Sequence, residues 1–176
     1  MSLTNRPIRQ LAATVRSGEF SFSELVDEAI ANRNADLGAY RHLNDDQVRA
    51  HAQARDATLA AGDDLGPMMG MPVSVKDLYG APGFPTSAGS PKDLPESFTT
   101  AGPVVQSLLD HGIVPTGKTH TVEFAFGGLG TNPHSPTPRN PWDSNNHRVP
   151  GGSSSCLLYT SPSPRDATLS RMPSSA

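Results

Sequence analysis

Apolar residues recur at helical spacing through the first third of the chain. Ile8, Leu11, Ala12 and Val15 fall on one face, Pro7 suits a first helical position and Gly18 follows the end, which predicts a short amphipathic helix. Ser21 and Glu24 form a capping-box pattern ahead of Leu25, Ala29 and Ile30, so a second helix is predicted from about Phe22 to Asn34. Asn44 and Gln47 repeat the signal, and Val48, Ala52 and Leu59 mark a third helix, from about Asp45 to Ala61 and closed by Gly62. After Gly66 the pattern changes to short β-branched runs among glycines and prolines. Met71-Pro72-Val73-Ser74-Val75-Lys76 reads as a strand running into a long Pro/Gly/Ser-rich loop over residues 80–100. Pro103 to Asp110 carries Val104, Val105, Leu108 and Leu109 as a helix closed by Gly112, and Ile113-Val114-Pro115 opens another strand. Strand, helix, strand after leading helices is the texture of an α/β fold. Thr121 to Phe126 is expected to form one helical turn, and residues 127–155 are loop-dominated.

Composition narrows the class. The 176 residues carry 14 Lys+Arg against 17 Asp+Glu, a net charge of -3, which offers no broad basic face for nucleic acid or anionic lipid. No apolar run approaches the roughly 18 residues of a membrane span, and the first ten residues lack a secretory signal's apolar stretch, so a cytoplasmic protein with no membrane partner is expected. The single cysteine, Cys156, cannot form an internal disulfide. The six histidines, at 42, 51, 111, 120, 134 and 147, include no pair at metal-ligand spacing and are expected on the surface or in loops; no metal or other cofactor is implied. Asn140-Pro141-Trp142-Asp143 reads as a turn with a buried indole.

Three stretches could carry chemistry. Gly112 to Thr119 satisfies G-x-x-x-x-G-K-T, the phosphate-loop pattern, which would make a small nucleotide-binding module. A phosphate loop needs a strand before it and a helix after it. Here a helix precedes and extended chain follows, so the stretch reads instead as a helix-capping glycine followed by a core strand. Lys76, at the end of its strand, is either an ordinary solvated lysine or a desolvated one whose neutral amine accepts a proton. Gly151-Gly152-Ser153-Ser154-Ser155 is either a flexible linker or a tight loop that brings backbone and hydroxyls against a reacting centre.

Taken together, Gly70-Met71-Pro72-Val73-Ser74-Val75-Lys76-Asp77, Gly117-Lys118-Thr119-His120, Glu123-Phe124-Ala125, Asn140-Pro141-Trp142 and Gly151-Gly152-Ser153-Ser154 resemble the amidase signature family. The resemblance covers residues 7–155 and implies the N-terminal part of an α/β/α sandwich with a mixed sheet. It also implies hydrolysis of a carboxylic amide through a Ser, cis-Ser, Lys triad and an acyl-enzyme. Lys76 matches the family's lysine, and Ser153 its bridging serine, preceded by a cis peptide bond. Ala125, Phe126 and Gly127 would, with Ser153, line the substrate's acyl side. His120 stands where the family usually has asparagine. The implied partner is a small-molecule amide, with oligomeric state left open. The glutaminase subunit of a tRNA-dependent amidotransferase is the alternative within the same signature.

The family's nucleophilic serine and oxyanion hole belong to a second glycine/serine motif that residues 156–176 lack, so an inactive fragment is expected. Those residues, CLLYTSPSPRDATLSRMPSSA, have no hydrophobic period and resemble a translated sequencing adapter, index and primer site. We read residues 1–155 as the N-terminal part of the domain and 156–176 as a non-native, disordered tail.

Overall fold

The computed structural model describes residues 3, 6–141, 143, 145–148 and 150–154. The tail from residue 156 and the indole of Trp142 lie outside the described residues. Four helices and a three-stranded sheet make the fold: α1 (Ile8–Arg16), α2 (Phe22–Ala31), β1 (Tyr40–His42), α3 (Asp45–Ala60), β2 (Pro72–Lys76), α4 (Pro103–Asp110) and β3 (Val114–Thr119). Short 3-10 turns lie at Ala35–Leu37, Glu96–Thr99 and Glu123–Ala125.

The capping signals set the helix starts. Ser21 accepts from the Glu24 N–H while the Glu24 carboxylate accepts from the Ser21 N–H, a complete capping box. Asn44 accepts from the Gln47 N–H at the start of α3. The end of α2 falls short of the expected Asn34, because the Asn34 side chain instead accepts from the Asp36 N–H and opens the first 3-10 turn. Asp56 of α3 then joins the two helices, accepting from the Phe22 N–H at 2.8 Å, the Ser23 N–H at 3.0 Å and the Ser23 hydroxyl at 2.5 Å.

The strand order is β1-β3-β2. β2 and β3 are parallel, with Lys76 opposite Thr119, and α4 lies on the connection between them, which is the anticipated strand–helix–strand unit. β1 pairs antiparallel with β3 and makes the sheet mixed; its three residues are too few to leave a pattern in the sequence. Val26, Val48, Ala52, Val75, Phe84, Val105 and Val114 bury one core between helices and sheet. Leu11, Val15, Phe22, Leu25, Met69 and Met71 form a second under α1 and α2. Gly70, at φ +73°, sits flat against the Phe22 ring, where a Cβ would fall 2.0 Å from Cδ1.

The phosphate-loop pattern is a core strand. Val114 to Thr119 are all buried, and Lys118 is spent inside the protein rather than offered to a nucleotide. The first half of the long loop packs inside, with Phe84, Thr86, Ser87 and Ala88 all buried, while residues 91–99 are mostly exposed. His120 lies in the loop that follows β3 and is buried rather than at the surface: it is 3% exposed, and its ring meets the Gly130 carbonyl at 3.2 Å and the Ser135 hydroxyl at 3.1 Å.

Candidate active site

Lys76 ends β2, and its side chain runs under cover to the diglycine bend. Its Nζ lies 2.8 Å from Ser153 Oγ and 2.7 Å from Ser154 Oγ. Lys76 and Ser153 are 77 positions apart in sequence, so the fold, and not local sequence, makes the contact. Lys76 is 9% exposed, and burial lowers its pKa from the ordinary lysine value. A protonated amine donates to both hydroxyls. A neutral one donates to one and accepts from the other, which gives it a lone pair aimed at a serine O–H.

The bend is fixed from below. Gly151 N–H donates to the Leu129 carbonyl at 3.0 Å and Gly152 N–H to the Gly128 carbonyl at 2.7 Å. A Cβ on Gly152 would stand 2.2 Å from the Gly127 carbonyl oxygen, so only glycine admits this approach. The Gly152–Ser153 peptide bond is cis. Thr121, buried beside the end of β3, donates its hydroxyl to the Ser153 carbonyl at 3.1 Å. Asn132 ties this wall to the long loop through Nδ2, which donates to the Thr121 carbonyl at 3.0 Å and to the Gly89 carbonyl at 2.7 Å.

Of the residues singled out from the sequence, Lys76 and Ser153 meet, and the Gly127 carbonyl closes on the bend beneath them. Ala125 sits at φ +57° in the irregular turn, and Phe126 is 95% exposed. An apolar cavity of about 300 Å³ opens beside Lys76, lined by Val73, Val75, Tyr79, Val104 and Leu108 with Ser154 at its edge; residues 125–127 take no part in it. Sequence reasoning placed Ser154 in the candidate glycine/serine stretch without a role of its own, and passed over Thr121. The run of serines after the diglycine held the first signal, but nothing in the sequence marked the second.

A charged pair lies behind the lysine. Asp77 and Lys118 are both wholly buried, with Lys118 Nζ 3.1 Å from Asp77 Oδ1. The Ser87 hydroxyl donates to Asp77 Oδ2 at 2.6 Å, and the Ser87 and Gly89 N–H groups complete the cradle at 3.2 and 3.3 Å. No group of three or more histidine, cysteine or carboxylate side chains able to hold a metal occurs among the described residues.

Comparison with known proteins places the chain in a family. The chain is 48% identical over 157 residues to a 2-amino-5-chloromuconic acid deaminase of Comamonas testosteroni, covering 88% of this chain and 34% of that protein. It is 38% identical to one component of the glutamyl-tRNA(Gln) amidotransferase of Ralstonia nicotianae, covering 86% of this chain and 30% of the relative. The native peptide amidase of Stenotrophomonas maltophilia superposes with a TM-score of 0.71 at 27% identity, over 89% of this chain and 34% of the other. The chain thus spans about a third of the length of the relatives it matches. The family model for amidases matches residues 24–156, and the chain belongs to the amidase family.

Proposed function

We propose that this chain carries the lysine and the bridging serine of an amide hydrolase, with Lys76 as the base and Ser153 as the relay. The observation that carries the reading is a lysine only 9% exposed, with no carboxylate paired to it among the described residues, whose amine lies 2.8 Å from the Ser153 hydroxyl. Neutral Lys76 takes the Ser153 proton as Ser153 takes the proton of a nucleophilic serine. That serine attacks the amide carbonyl carbon and forms a tetrahedral oxyanion. Collapse breaks the C–N bond, Ser153 gives its proton to the departing nitrogen and regains one from the Lys76 ammonium, and an acyl-enzyme is left with Lys76 neutral again. Water attacks the ester by the same relay and releases the carboxylic acid.

The nucleophile and the oxyanion donors belong, in this reading, to the remaining two thirds of the domain that the relatives carry, and the 176-residue chain alone is inactive. The covering of the acyl group by Ala125, Phe126 and Gly127 is proposed for the complete domain. A cytoplasmic location belongs to the same proposal, because one cysteine makes no internal disulfide.

Residues 1–154 joined to the remainder of the Comamonas testosteroni deaminase provide the test. Ammonia release from small primary amides is expected from the chimera. Lys76→Met or Ser153→Ala should each lower kcat by about 10³ or more, as loss of a base or relay does in serine hydrolases. An active chimera indifferent to both substitutions would refute the assignment. The amidotransferase relatives support a second reading, in which the chain belongs to a glutaminase that works within a complex. It predicts glutamine as the preferred amide and activity only after the partner proteins are added.

A further inference from the structure

Consecutive residues of an extended strand project to opposite faces, and the backbone ladder continues past β2 because Asp77 N–H donates to the Thr119 carbonyl at 3.1 Å. Lys76 therefore faces the serines while Asp77 faces Lys118, Ser87 and Gly89. A buried ion pair is a poor source of stability, since desolvating both charges consumes most of what their attraction returns, and an apolar pair of similar volume often serves as well. Its place directly behind the amine gives it another use.

We propose that Lys118 is a positioning residue for Lys76: by engaging the Asp77 carboxylate on the far face of β2, it leaves the Lys76 amine facing two hydroxyls with no carboxylate for a partner. The proposal rests on the reading of Lys76 as a neutral base. A carboxylate without its counter-ion in this dry interior would favour the ammonium form of the adjacent lysine, and an ammonium has no lone pair for Ser153. The two lysines differ in the way this requires. Burial lowers both, but for Lys118 the Asp77 carboxylate opposes the fall, whereas for Lys76 no charged neighbour among the described residues does. The other charged or titratable groups around the pair come from β1 and the long loop. His42 Nε2 lies 4.0 Å from Asp77 Oδ2 and 3.7 Å from Asp93 Oδ1, and Arg41 Nε donates to the Ser87 hydroxyl at 3.4 Å. Burial holds His42 below its usual pKa, so it is neutral wherever a lysine titrates.

The chain has three lysines, Lys76, Lys92 and Lys118, so selective 13C labelling of lysine gives a spectrum in which each Cε can be followed with pH. Four forms of the 176-residue chain are compared: wild type, Lys118→Met, Asp77→Asn and the double substitution. The Lys76 midpoint should rise in Lys118→Met, fall in Asp77→Asn, where the Lys118 charge is left unopposed, and return to the wild-type value in the double form. If Lys118→Met does not fold, the comparison of Asp77→Asn with the double form decides, because neither leaves a bare carboxylate. One midpoint common to all folded forms would overturn the proposal and leave the pair a purely structural one. A wild-type midpoint at the ordinary lysine value would instead sink the reading of Lys76 as a base, so the two failures are distinct.

Discussion

One methyl group decides the geometry at the diglycine bend. Gly152→Ala puts a Cβ 2.2 Å from one backbone oxygen and 2.9 Å from the Gly130 nitrogen, and backbone atoms on both sides cannot yield as a flexible side chain would. The bend must lift away, and Ser153 goes with it. The expected result is a Lys76 midpoint displaced toward that of a solvated lysine with the helical circular dichroism retained, since α1 to α3 lie elsewhere. An unchanged midpoint would mean that the bend does not hold the serine against the amine. Thr121 and Asn132 act at the same scale. Each joins backbone carbonyls from distant parts of the chain, which is why composition and spacing left them unmarked while Lys76 and Ser153 stood inside recognisable strings.

Among the elements, α2 and α3 are joined more tightly than apolar packing alone would require. Asp56 satisfies two N–H groups in the first turn of α2 and one hydroxyl, and its negative charge also suits a helix N-terminus. Asp56→Ala should cost about 1–3 kcal/mol, against about 1 kcal/mol for loss of the Ser21 cap. Urea unfolding of Asp56→Ala and Ser21→Ala measures both; a smaller effect at Asp56 would show that water replaces its bonds without loss. Helix starts were legible because Ser21 and Asn44 announce themselves within three residues of their partners. The end of α2 was not, because Asn34 competes by opening a turn of its own. β1 was invisible for a different reason. Its three residues pair with β3 through contacts 76 or more positions away, and nothing local calls for a strand. The phosphate-loop pattern misleads only when read without its context, since a string that follows a helix and itself forms a strand cannot present its N–H groups to a phosphate as a loop at a helix N-terminus does.

At the scale of the whole molecule, burial of imidazoles ties stability to pH. His42, His51 and His120 all have pKa values lowered from 6.5, with burial as the first cause. Below about pH 6.5 the unfolded chain binds protons that the folded chain refuses, so stability declines as pH falls from 6.5 toward the folded values and is undiminished above it. The Tm should be lower at about pH 5.5 than at about pH 7.5, and His120→Asn should flatten the dependence. A Tm that rises on acidification would contradict the burial of these rings. Asp64, lowered to about 2 by its bond with Arg16, loses its contribution only as pH falls from 3.8 toward 2, outside that window. Fold and chemistry meet again in Lys76, where the buried end of β2, a largely covered side chain and a diglycine bend from the far end of the described chain converge. The most direct measurement of that convergence is the Cε titration of Lys76 in the wild-type chain. The account predicts a midpoint clearly below the ordinary lysine value; a midpoint at that value would contradict it.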